Sequence, residues 1–163
     1  MTQRGYGGPL RYVQGPGVLA DLGRYVAPLG PRALVVLDGF IQDSRQPAIE
    51  ASLKEAGVAA VFARFGGEST DAEVARVTAL ANGAQVVIGI GGGKTLDTAK
   101  ITALGLGARI VTVPTIASTD SPTSSIGVIY SPEGVYDRVV RCGRNPDVVL
   151  VDSAVIVQAP VRF

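Results

Sequence analysis

Apolar positions along the chain fall in short blocks separated by glycine, proline and polar residues. Leu10-Arg11-Tyr12-Val13-Gln14 alternates as a half-exposed strand does, and Gly15-Pro16-Gly17 ends it. Residues 18–29 place Leu19, Leu22, Tyr25 and Val26 on one helical face and stop at Gly30-Pro31. Residues 33–37 form a wholly apolar block, which predicts a buried strand with Asp38 at its end. A helix is expected over 47–56, a strand over 58–62, and a helix over 72–81 capped from the loop 66–71. Val86-Val87-Ile88 is a β-branched run, and after the glycines a helix is expected from Thr95 through residue 106 with Leu96, Ala99 and Ala103 on one face. Residues 109–113 predict another buried strand and 114–123 a polar loop. Residues 127–130 and 135–140 alternate around Pro132-Glu133-Gly134 and predict a β-hairpin. A last strand is expected over 148–151, with a helix beginning over 153–158.

Strands that alternate with helices imply βαβ units. The expected fold is therefore α/β, a Rossmann-like, doubly wound, mostly parallel sheet with a β-hairpin insertion. Ligands of such sheets bind outside the carboxyl ends of the strands. Asp38, the loop Gly91 to Lys94 and the loop Thr115 to Asp120 all follow strands, so they are expected on one edge.

The densest chemistry lies in that glycine loop. Gly89, Gly91, Gly92 and Gly93 precede Lys94-Thr95-Leu96-Asp97. Glycine lets a second group approach the backbone closely, and a helix start offers unpaired N–H groups with partial positive charge. Such a loop suits an anion, phosphate above all. It matches neither common phosphate motif. A P-loop needs glycine six residues before the lysine, where Ile88 stands, and a dinucleotide fingerprint needs glycine at Lys94 or Leu96.

Composition narrows the reading. Of fifteen cationic residues only Lys54, Lys94 and Lys100 are lysines, so two of the three fall in the motif, where a compact ammonium differs from a guanidinium fork. A chain of 163 residues is one domain with room for a core, and a net charge of +1 points to neither nucleic acid nor a membrane surface. No apolar stretch approaches the roughly 18 residues of a membrane span, and residues 1–8 lack the apolar core of an export leader. With Cys142 alone there is no disulfide framework, and a reduced, cytoplasmic setting is expected. There is no histidine, which removes Ser-His-Asp and Cys-His catalysis and histidine-based zinc sites.

Asp38, at the end of an early strand, can accept hydrogen bonds from ribose hydroxyls and would repel a 2′-phosphate, which favours NAD over NADP; its other reading is a helix cap. Asp97, in the first turn of the motif helix, suits the helix dipole, or capping alone. Thr115, Ser118 and Asp120 cluster where loops carry function, or serve the turns beside Pro114 and Pro122.

On Gly89 to Lys100, Pro114-Thr115-Ile116-Ala117-Ser118-Thr119-Asp120, Phe65-Gly66-Gly67-Glu68, Val128-Ile129-Tyr130, Asn145-Pro146, Val151-Asp152 and Ala159-Pro160, the sequence resembles the glycerol dehydrogenases of the iron-containing alcohol dehydrogenase superfamily. The resemblance runs from Arg11 to the end of the chain. It implies NAD-dependent oxidation of glycerol to dihydroxyacetone on zinc, in a homo-oligomer. It implies that Asp38 contacts the adenosine ribose, and that Gly92, Gly93, Lys94, Thr95 and Asp97 hold the pyrophosphate and nearby groups. Thr115, Ser118, Ser124, Ile126 and Tyr130 would line the adenine and nicotinamide region, and Asp120 would contact substrate hydroxyls. The family carries a second, helical, metal-binding domain with one aspartate and two histidines as zinc ligands. Residues 1–163 are expected to correspond to the NAD-binding half, without those ligands and without activity alone. The alternative is a nucleotide-binding or self-associating module without turnover; residues 155–163 are expected to leave apolar surface exposed, which favours self-association. A third reading, a P-loop phosphotransferase, is disfavoured by the glycine spacing.

Overall fold

Six parallel strands make one sheet in the order β1-β8-β5-β4-β2-β3 in a computed structural model, which describes residue 5 and residues 7–160. The strands are β1 (Arg11–Gly15), β2 (Arg32–Leu37), β3 (Ala59–Arg64), β4 (Val86–Gly91), β5 (Arg109–Pro114) and β8 (Val148–Asp152). The expected hairpin is β6 (Ile126–Tyr130) with β7 (Tyr136–Arg141), a separate two-stranded antiparallel sheet. The helices are α1 (Leu22–Val26), α2 (Gly39–Glu55), α3 (Asp71–Ala79), α4 (Gly93–Leu106) and α5 (Ser153–Ile156).

The central strands are almost wholly apolar past their first residues, with Thr112 the buried exception, because both faces are covered. Val35, Leu37, Ile88 and Val111 pack with Leu22, Ile41 and Leu53 from α1 and α2. Leu34, Val36, Val87 and Ile110 pack with Val77, Ala99 and Ala103 from α3 and α4. The second layer is thin. A Cβ built on Gly89 would lie 2.7 Å from the Ala99 Cβ, so glycine in β4 lets α4 sit directly on the sheet. Gly127 does the same for the hairpin, since a Cβ there would stand 2.7 Å from Ile101.

The structure corrects the sequence reading at four places. Residues 18–29 are not one helix: a 3-10 turn (Val18–Asp21), α1 and a second 3-10 turn (Ala27–Leu29) follow one another. Helix α2 begins at Gly39, not Pro47. The Asp38 carboxylate accepts the Ile41 N–H at 2.8 Å, and this cap outweighs the exposed interior Pro47. Helix α4 starts at Gly93, two residues before Thr95, and α5 ends at Ile156. The expectation of an exposed apolar tail over residues 155–163 lies outside the described residues at 161–163. Within 155–160, Val157 is exposed while Val155 is buried.

Candidate functional site

The carboxyl ends of β2, β4 and β5 bring Asp38, the glycine loop and the loop after Pro114 to one edge, as the fold class requires. Gly92 is the N-cap of α4 and supplies no side-chain cap, so the first N–H groups of a fourteen-residue helix face the edge without a side-chain acceptor. The space above is narrow. A Cβ on Gly92 would lie 3.2 Å from the Ile116 Cδ1, and one on Gly93 3.1 Å from the Thr119 Cγ2.

Two cavities flank this helix start. One, of about 260 Å³, is polar and is lined by Gly93, Lys94 and Asp97 of α4, Ser118, Asp120 and Ser124 of the loop after β5, and Ile126 and Tyr130 of the hairpin. The second, of about 350 Å³, is more apolar and holds Asp38, Gly92 and Thr115 beside Phe40, Ile116 and Val155. Every residue that the resemblance assigns to cofactor or substrate except Thr95 lines one of the two. Thr95 is buried, its hydroxyl 2.7 Å from where a Cβ of Gly91 would stand.

Asp38 is a helix cap that also faces a cavity. One oxygen caps α2, and the other accepts a hydrogen bond from the Thr115 hydroxyl at 3.4 Å while facing the apolar cavity. Burial pushes its carboxyl above the ordinary carboxylate value; the Ile41 N–H, the Thr115 hydroxyl and the Phe40 N–H offset part of that rise.

Asp97 is a buried strut. Its Oδ1 accepts the Ser121 hydroxyl at 2.6 Å and pairs with the Lys100 ammonium at 3.0 Å; its Oδ2 accepts the Val128 N–H at 3.2 Å. Lys100, 2% exposed, donates to the Ser121 carbonyl at 2.9 Å, to Ser124 Oγ at 3.2 Å and to the Ile126 carbonyl. The pair thus ties the loop after β5 and the first strand of the hairpin to α4. Thr112 and Asn145 hold the same loop from below, donating to the carbonyls of Pro122 and Thr123, each at 2.7 Å.

Lys94 points the other way. Its ammonium pairs with Glu68 and lies 4.8 Å from the centre of the Tyr130 ring. The sequence reading assigned no role to Glu68, Lys100 or Ser121. Lys100 stood out only as one of three lysines, and Glu68 only as part of a matched loop. Asp152, which closes β8, caps instead: its oxygens accept the N–H groups of Gly17, Leu19 and Ala154.

Among the described residues there is no group of three or more His, Cys, Asp or Glu able to hold a metal ion, and no helix long and apolar enough to cross a membrane. The chain has no histidine, so its donors do not fit a catalytic metal site of the imidazole-carboxylate kind.

The family model "iron-containing alcohol dehydrogenase" matches residues 9–153. A glycerol dehydrogenase of Escherichia coli O6:H1 is 45% identical over 157 residues, covering 95% of this chain and 43% of that protein. A glycolaldehyde reductase of Halobacterium salinarum is 43% identical over the same shares. The crystal structure of a probable glycerol dehydrogenase from Sinorhizobium meliloti 1021 superposes with a TM-score of 0.88 at 47% identity, covering 98% of this chain and 44% of that one. The chain therefore spans less than half the length of these relatives, and its β-α layering, its hairpin and its glycine loop all lie in the matched part. It belongs to the iron-containing alcohol dehydrogenase family.

Proposed function

We propose that this chain binds NAD along the edge between Asp38 and Tyr130, as the dinucleotide-binding half of an NAD-dependent polyol dehydrogenase acting on glycerol. The observation that carries this reading is the glycine-built start of α4, with no side-chain cap, Lys94 in its first turn and a strand-end aspartate at the neighbouring strand. The diphosphate would lie against the N–H groups of Gly93, Lys94 and Thr95, where helix dipole and ammonium both favour negative charge. Asp38 would accept the ribose hydroxyls. Ser118, Ser124, Ile126 and Tyr130 would enclose the nicotinamide side, and Asp120, exposed at the mouth of the polar cavity, would meet substrate hydroxyls. Bound NAD supplies a hydride acceptor; the residues of this chain bind it, orient it and exclude water around it. Relatives named glycerol dehydrogenase support the polyol assignment.

The family description names iron, and the resemblance to glycerol dehydrogenases implies zinc, but this chain's donors fit neither, so no step of the reaction is routed through a metal here. Removing the hydroxyl proton of an alcohol needs a base or a Lewis acid, and no histidine is present to act as one. The expected behaviour of the chain alone is binding without turnover. Calorimetric titration of NAD into the purified chain should give saturable binding, and glycerol oxidation should be undetectable with iron or zinc added. Absence of NAD binding would overturn the cofactor reading, and turnover would overturn the division of labour.

A further inference from the structure

Among the described residues lining the two cavities, Lys94 is the only cation, and it is already paired. Its partner Glu68 is set by the fold. The Glu68 Oε1 accepts the Ser69 N–H at 3.0 Å, leaving Oε2 for the ammonium. The turn of the hairpin closes behind it, since a Cβ on Gly134 would lie 3.3 Å from that same Oε2. Ser69 is itself fixed to β6, donating to the Val128 carbonyl at 2.9 Å and accepting the Tyr130 N–H at 2.8 Å. Three separate pieces of chain, the loop before α3, the start of α4 and the hairpin, therefore converge on one ion pair beneath the Tyr130 ring. The remaining charges around the edge do not make it positive: Lys100 is balanced by Asp97, and Asp38 and Asp120 are acidic.

We propose that Glu68 is a charge-selectivity residue of this cleft. Held against Lys94, it keeps the anion site at the start of α4 close to neutral, so that the site accepts a dinucleotide diphosphate and disfavours nucleotides that end in a free phosphate. The proposal rests on the NAD reading of the cleft and deepens it. ADP carries one more negative charge on its diphosphate than NAD does, and the nicotinamide ring of NAD is itself cationic. Both share the adenosine half, so contacts at Asp38 cancel between them. Neutral backbone N–H groups bind either diphosphate, whereas an uncompensated ammonium rewards the extra charge of ADP.

The test is calorimetric titration of NAD and of ADP into the wild-type chain and into Glu68→Gln, which keeps an oxygen for the Ser69 N–H. ADP affinity should rise about fivefold more than NAD affinity in low salt, as expected for one added unit of charge beside a partly exposed ammonium. The gain should shrink as ionic strength increases. Glu68→Asp, which retains the charge, should keep the wild-type ratio. Equal changes for the two ligands, or no change, would overturn the proposal while leaving the NAD reading intact. A wild-type chain that binds neither ligand would overturn both, and that outcome is separable because it appears before any substitution is made.

Discussion

Lys94 and Lys100 stand six residues apart on one helix, in one motif, and do opposite work. Lys94, in the first turn of α4, has a side chain 44% exposed and faces the cleft, where it meets Glu68 and Tyr130. Lys100, almost two turns later, is 2% exposed and points into the junction of helix, loop and hairpin, where it meets Asp97 and two backbone carbonyls. The first is a cleft-facing charge on a scaffold that does not need it. The second is part of the scaffold that gives the first its place. A motif read as one functional block is therefore two, and stability and binding should separate along it.

The largest expected effect is at Lys100. Replacing it by alanine leaves Asp97 as a buried carboxylate without its cation and strips donors from the carbonyls of Ser121 and Ile126. Breaking a buried pair from one side costs about 3–5 kcal/mol. Denaturant unfolding should show Lys100→Ala less stable than wild type by about that amount. An unfolding free energy within about 0.5 kcal/mol of wild type, the range of an ordinary surface change, would erase the contrast.

Lys94→Ala should do the reverse. Its pair with Glu68 is partly exposed, so the loss of stability should stay under about 1 kcal/mol. NAD affinity should fall about tenfold or more, as for a lost charge-assisted contact, whereas Lys54→Ala, in the last turn of α2, should leave affinity unchanged. Equal effects at Lys94 and Lys54 would remove Lys94 from the site. Loss of stability at Lys94 matching that at Lys100 would show that the two lysines belong to one unit after all.

How much of this was legible in the sequence follows from what each signal depends on. The parallel sheet was readable because its strands are buried on both faces and so appear as unbroken apolar blocks such as 33–37 and 86–88. The gathering of Asp38, Gly92 and Thr115 on one edge followed from strand direction alone. The start of α2 was hidden because Pro47 looks like a first helical residue, and because Asp38 reads equally as a ribose acceptor and as a helix cap, with nothing in the sequence to choose between them. Lys100 and Glu68 were out of reach for another reason. Lys94, the partner of Glu68, lies 26 residues away, and the carbonyls that Lys100 reaches lie 21 and 26 away, separations no local spacing encodes; only the pair of Lys100 with Asp97, three residues apart on one helix, was a local signal.

The smallest expected effect concerns the far end of the cleft, where Asp38 is both cap and candidate ribose acceptor. Burial holds its carboxyl above the ordinary value of 3.8, so folding favours the protonated form. That contribution is present in full below 3.8 and is lost as pH rises through the folded-state value. Asp38→Asn keeps an oxygen for the Ile41 N–H, since asparagine caps as well as aspartate does, but cannot ionise. The variant should therefore gain on wild type as pH is raised from below 3.8 to neutrality, read as a growing difference between their urea midpoints. Glu73 works in the opposite sense. Burial opposes its charge, but hydrogen bonds from Arg76 and the Gly66 N–H outweigh that and hold its carboxyl low, so its contribution is lost as pH falls. That contribution is common to both proteins and cancels in the difference. A difference that stays constant with pH would mean that Asp38 is solvated like an ordinary surface carboxylate. The apolar half of the cleft would then differ from the Lys94 half in shape but not in electrostatics.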